Sequence, residues 1–135
     1  MEVERMAKRT FMNWTIAILA VVVIATFFLW KRMSFVSAET ASQQLAQGAL
    51  VIDVRSPEEF RSGHVPNAVN IPLGELRESL PLRVKDKNQV LLLHCLSGGR
   101  SGIAQQQLKG MGYPNVFNLG SLARAQQIIA GAKGK

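Results

Sequence analysis

Cysteine is nearly missing from this chain: of 135 residues, only Cys95 carries a thiol. One thiol cannot close an intramolecular disulfide, so a disulfide-stapled scaffold is excluded and the compartment stays open. Histidine is almost as scarce, with only His64 and His94. No His/Cys/acid grouping has metal-ligand spacing, so neither a metal nor another cofactor is expected. Acidic residues number nine against sixteen Lys and Arg, for a formal net charge of +7. Aromatics nowhere interleave with a basic stretch, which argues against a nucleic-acid footprint. Internal repeats and low-complexity segments are lacking as well.

Charge itself is absent from residues 14–30, a run opened and closed by Trp14 and Trp30. As a helix it would measure about 26 Å, close to the ~30 Å hydrocarbon core of a bilayer. Tryptophans suit the two interfaces, and Lys8, Arg9, Lys31 and Arg32 bracket them. The reading is a basic tail over 1–13, a single membrane span over 14–30, a linker over 31–38, a folded domain over 39–131 and a tail over 132–135. Val36-Ser37-Ala38 resembles a small-residue cleavage site. The apolar run, however, is longer than a signal peptide needs and Lys31-Arg32 interrupts the approach, which favours an uncleaved anchor. Three basic side chains precede the span and two follow it, so the charge rule leans towards an internal N-terminus. The expected location is a cell membrane, a bacterial inner membrane, with the domain on the periplasmic side. Residues 39–135 hold eleven basic and seven acidic side chains, scattered as a solvated surface suited to anionic lipid or an anionic substrate.

Helical and extended patterns alternate from residue 39. Thr40 with Gln43 reads as a capping box and Gly48 as a stop, predicting a helix over 40–47. Residues 50–54 form a β-prone run of the buried parallel kind. Ser56-Pro57-Glu58-Glu59 writes a helix start: cap, proline in the first turn, acids at the positive end. A turn at Gly63-His64-Val65-Pro66-Asn67 precedes a short extended piece over 68–71, and a helix follows near 75–82. Residues 90–94 predict a strand. Ala104, Leu108 and Met111 share one face of a helix that starts near Ser101 and ends at Gly110 or Gly112. A last strand over 116–119 and a helix over 122–130 close the domain, with 131–135 frayed. The alternation implies an α/β fold, a small parallel β-sheet with helices on both faces and ligands beyond the strands' carboxyl ends.

Cys95 lies at such an end, before Leu96-Ser97-Gly98-Gly99-Arg100-Ser101-Gly102. A lone cysteine commonly behaves as a small buried hydrophobe. Here it ends an apolar run, a loop of small residues follows, and Arg100 supplies a cation five positions on. Glycines let several backbone N–H groups turn inward, and a helix N-terminus adds positive potential. A thiol in that setting ionises readily and is a candidate nucleophile. His64, in its turn, is read as a structural hydrogen-bonding residue and His94 as a packing residue.

Asp53-Val54-Arg55-Ser56-Pro57-Glu58-Glu59-Phe60 and Gly63-His64-Val65-Pro66-Asn67-Ala68-Val69-Asn70-Ile71-Pro72 resemble the opening signature of rhodanese domains. Cys95-Leu96-Ser97-Gly98-Gly99-Arg100-Ser101 resembles their active-site loop, and Gly112-Tyr113 with Val116 and Gly120 fits the segment after it. The resemblance covers about residues 39–122. It implies sulfur transfer: Cys95 takes the outer sulfur of thiosulfate or a similar anionic donor as a persulfide, then yields it to a thiol or cyanide. The N–H groups of Leu96, Ser97, Gly98, Gly99, Arg100 and Ser101 would surround that sulfur, and Arg100 would hold the anion. Asp53 and Arg55 would pair locally and orient the loop. Protein partners are not indicated. Cysteine phosphatases share such a cradle but place an arginine six positions after the cysteine, where this chain has Ser101. The same resemblance admits another reading, a non-catalytic binding or sulfur-sensing module held at the membrane.

Overall fold

The computed structural model of the chain describes residues 1–33 and 35–134. The chain divides into two compact units, Met1–Ser34 and Phe35–Lys135. The first is a single helix, α1 (Glu2–Met33), with Glu2 and Glu4 at its positive end. Through its middle, side chains are described for residues 12–28, and the apolar ones stand exposed, Trp14 at 73% and Phe28 at 62%. Among the described residues no helix is long and apolar enough to cross a membrane. The span expected over 14–30 is therefore not established by the structure. The side chains of Trp30 and of the bracketing Lys8, Arg9, Lys31 and Arg32 lie outside the described set.

In the second unit the chain alternates α2 (Ala38–Ala46), β1 (Leu50–Asp53), α3 (Pro57–Ser62), β2 (Val69–Asn70), a 3-10 turn (Leu73–Glu75), α4 (Leu76–Arg83), β3 (Leu91–Cys95), α5 (Gly99–Gly110), β4 (Val116–Ser121) and α6 (Leu122–Lys133). The four strands form one parallel sheet in the order β2-β1-β3-β4. Successive side chains of β1 and β3 alternate between two apolar layers, which is why both strands read as unbroken apolar runs. Ile52, Leu91, Leu93 and Cys95 pack with Leu76 and Leu80 of α4 and with Ala104 and Leu108 of α5. Val51 and Leu92 pack with Ala41 of α2 and with Ala125, Ile128 and Ile129 of α6. Tyr113 is wholly buried, and its hydroxyl donates to the Val84 carbonyl at 2.9 Å, which satisfies its polar end.

Local chemistry accounts for the starts of α2, α3 and α6, each capped by a serine. Ser56 caps α3 in a complete capping box: its Oγ accepts from Glu59 N–H at 3.2 Å while Glu59 Oε2 accepts from Ser56 N–H at 3.1 Å. Several expected boundaries move. α2 begins at Ala38 because Ser37, not Thr40, is its cap, accepting from Thr40 N–H at 3.1 Å. β3 runs through Cys95 instead of stopping at residue 94, since Cys95 still pairs with Ser121 of β4. α5 begins at Gly99, two residues before the expected start, with Gly98 as its left-handed N-cap. No Ser, Thr, Asp or Asn marks that cap, so the usual sequence signal is missing. β4 extends to Ser121, past a register shift between Leu93 and His94. α6 continues to Lys133, where fraying was expected from residue 131, because Ser121 caps it and Ile128 and Ile129 bury on the sheet. Residue 135 lies outside the described residues.

Candidate active site

Cys95 ends the central strand β3 at the sheet's carboxyl edge and is 1% exposed. Its Sγ accepts the Gly98 N–H at 3.0 Å and lies 3.6 Å from the Ser101 Oγ. Burial alone would push the thiol's pKa up. The Ser101 N–H and hydroxyl, with the N–H groups of Ser97 and Gly98, outweigh burial and lower it below the ordinary 9.0. The early start of α5 explains the contribution of Ser101. First-turn N–H groups of a helix have no partner within it, and this one is free to point at sulfur. The arrangement stabilises a thiolate, and the same amides would face negative charge added at that sulfur.

The loop is braced from β4. Asn118, buried inside that strand between Phe117 and Leu119, donates Nδ2–H to the Gly98 carbonyl at 3.1 Å. Its Oδ1 accepts from Gly120 N–H at 2.9 Å and lies 2.8 Å from Ser101 Oγ, whose single proton can go to it or to Cys95 Sγ. Sequence reading missed Asn118; the available signal was a polar side chain inside a strand otherwise meant for the core. Gly98 (φ +95°) and Gly120 (φ +94°) both need the left-handed region here.

Arg100, in the first turn of α5, is held by a carboxylate. Its two terminal nitrogens donate to Glu59 Oε2 at 2.7 Å and Oε1 at 2.8 Å, a fork-on-fork pair. Arg100 lowers the Glu59 pKa to about 2, with the Ser56 amide helping. Glu59 in turn raises that of Arg100, and Cys95 adds a smaller push in the same direction. An incoming anion would share Arg100 with Glu59. No spacing in the sequence links positions 59 and 100, so Glu59 was seen only as part of a helix start.

Asp53 and Arg55 are brought to each other and not to the sulfur. Arg55 Nε lies 3.0 Å from both Asp53 oxygens, and its terminal nitrogen lies 2.7 Å from Oδ2 and 2.7 Å from the Gly63 carbonyl. Asn70 Nδ2 bonds both of their carbonyls, tying the ends of β1 and β2. His94 is buried with neither ring nitrogen hydrogen-bonded, and Nε2 lies 3.6 Å from Asp53 Oδ2. Burial lowers its pKa, against a pull upward from Asp53. His64 bonds the Phe60 carbonyl through Nδ1 at 3.0 Å and stacks on the Phe60 ring. Leu96 stands 58% exposed beside the nucleophile, while Ser97 bridges to Ser121 and Gly99 opens α5. Among the described residues no group of His, Cys, Asp and Glu could hold a metal ion.

A parallel α/β sheet with a thiolate cradle at the end of its central strand defines a class, and the sequence agrees with it. The rhodanese-like domain family matches residues 37–123, and the chain belongs to that sulfurtransferase family. It is 45% identical over 71 residues, 53% of this chain and 68% of the relative, to the thiosulfate sulfurtransferase PspE of Escherichia coli. It is 33% identical to a sulfurtransferase of Allochromatium vinosum, over 62% of this chain and 78% of that protein. Among solved structures, a rhodanese with anions from E. coli superposes with a TM-score of 0.55 at 42% identity, covering 57% of this chain and 91% of that one. The human single-domain sulfurtransferase TSTD1 does so with a TM-score of 0.59 at 28% identity, covering 70% and 95%.

Proposed function

We propose that the protein moves sulfane sulfur from thiosulfate, or a similar anionic donor, to a thiol or cyanide through a persulfide on Cys95. One observation carries the reading: a buried sulfur at the end of β3 with the Gly98 N–H at 3.0 Å and its pKa held below the ordinary value. The Cys95 thiolate attacks the outer sulfur of thiosulfate. The S–S bond of the donor breaks, and sulfite leaves with its electron pair. The resulting terminal sulfur bears negative charge, which the amides of Ser97, Gly98 and Ser101 stabilise. An acceptor thiolate or cyanide then attacks that sulfur, and Cys95 departs as the thiolate it began as. Arg100, shared with Glu59, draws the donor's anionic end towards the loop. Asp53 and Arg55 hold the neighbouring strand end in place.

We further propose that residues 14–30 anchor the protein in a bilayer, with the domain on the side away from an internal N-terminus. Exposed Trp14 and Phe28 on an uncharged stretch of α1 support this. Carbonate extraction of membranes should leave the protein in the pellet; release into the supernatant would remove the anchor from the proposal.

Intact-mass measurement after thiosulfate treatment tests the chemistry. Wild type should gain about one sulfur atom, and Cys95→Ser should gain none. A wild-type protein that stays unmodified would favour the binding or sulfur-sensing module instead.

A further inference from the structure

The residues just before the family-matched span reach into the site. Phe35 is partly buried, and its ring lies against the backbone of both left-handed glycines. A Cβ built on Gly98 would come within 2.8 Å of the ring's Cε1 and Cζ, and one on Gly120 within 3.5 Å of three of its carbons. The ring therefore fills the space where side chains at 98 and 120 would stand. Its own position is fixed from two sides. The next residue, Val36, donates its N–H to the Asn118 carbonyl at 2.9 Å, extending the hydrogen bonding of β4. Arg124 of α6 donates to the Val36 carbonyl at 2.7 Å and to the Leu119 carbonyl at 2.6 Å, with its guanidinium 5.8 Å from the Phe35 ring centre.

We propose that Phe35 is a positioning residue of the sulfur-transfer site: its ring seats the Gly98 peptide so that the Gly98 N–H stays on Cys95 Sγ. The inference rests on the reading of Cys95 as the sulfur carrier. Gly98 has no side chain to restrict it, and a peptide in the left-handed region with one face open could rotate its N–H away or lose it to water. Asn118 holds the carbonyl of Gly98 and Gly120 backs it at 3.1 Å from the same virtual Cβ; Phe35 closes the remaining side. The family match begins at residue 37, so this lid on the loop comes from chain outside it.

The test uses the full chain in detergent and reads the pH dependence of Cys95 alkylation by iodoacetamide. Phe35→Ala should raise the alkylation midpoint by about one pH unit, equivalent to about tenfold less thiolate at a fixed lower pH. Phe35→Tyr, which keeps the ring, should restore the wild-type midpoint. A wild-type midpoint in Phe35→Ala, or an equal shift in Phe35→Tyr, overturns the assignment. If thermal unfolding shows Phe35→Ala to be unfolded, Phe35→Leu decides instead: bulk without a flat ring should still shift the midpoint upward, and a wild-type midpoint refutes the role. Thiosulfate uptake by the wild type, read by mass, tests the Cys95 chemistry separately, because alkylation does not depend on sulfur transfer.

Discussion

Acidity of a single thiol is where this protein's chemistry begins. Cys95 is buried, which by itself favours the neutral form, and hydrogen-bond donors reverse that preference. The sign has a consequence for stability. A group whose folded pKa lies below its unfolded value contributes stability above that unfolded value, near 9, and loses it as pH falls through the folded pKa. The thiolate thus stabilises the fold on the alkaline side, and Cys95→Ser should flatten that arm of the stability curve. Ser101 offers a sharper probe, because replacing it by alanine removes the hydroxyl at 3.6 Å and keeps the helix N–H. Ser101→Ala should raise the Cys95 alkylation midpoint by less than about one pH unit and slow persulfide formation below it. A midpoint unchanged from wild type would show that the backbone amides suffice. The cysteine and its glycine loop were legible in sequence because composition alone marks them. Asn118 and Glu59 were not, since each acts on the loop from a distant stretch of chain that only the fold brings near.

Among the elements, α3 and α5 are linked through one carboxylate. Glu59 closes the capping box of α3 and grips Arg100 of α5 with both oxygens. The cap was readable from Ser56-Pro57-Glu58-Glu59 because capping is local; the grip was not, because it spans two helices. Ser56→Ala should cost about 1 kcal/mol of stability, the usual value of a lost N-cap, read as a lower denaturant midpoint with unchanged slope. Glu59→Gln leaves Arg100 free for the donor. Arg100 is 37% exposed, so the lost pair is worth at most about 1 kcal/mol and less in high salt. Its larger effect is on chemistry: KM for thiosulfate should fall as Arg100 gains a vacancy, and that fall should shrink as salt rises. A KM that rises instead would mean that Glu59 aims Arg100 at the donor more than it competes for it. The start of α5 is not written in the sequence because Gly98 caps it with no side chain, and α6 runs past its expected end because Ile128 and Ile129 bury on the sheet.

At the scale of the whole molecule, stability turns on charge placed where the sheet excludes water. The alternation of elements was enough to infer a parallel sheet covered on both faces, since buried strands and amphipathic helices are written in composition and period. Between β1 and β3 the sequence suggested a local Asp53–Arg55 pair and a packing role for His94, but not that all three are buried together beside one another. Buried, they form a unit in which Asp53 satisfies Arg55 and faces the neutral His94 across 3.6 Å. Arg55→Ala strands the Asp53 carboxylate in the core, and a buried charge left without its partner costs about 3–5 kcal/mol. His94 sets the pH dependence on the acid side. Its folded pKa lies below 6.5, so the unfolded chain binds its proton first, and stability drops as pH falls below that value. Urea titrations between pH 7 and pH 5 read this: wild type should lose stability over the interval, and His94→Leu should lose less. In Arg55→Ala, removal of a cation beside His94 weakens one of the causes that depress its pKa, so the acid loss should begin at the same pH but be smaller than in wild type. Equal slopes in all three proteins would mean that water reaches this pocket and that the ion pair is screened, contrary to the full burial of Asp53 and His94.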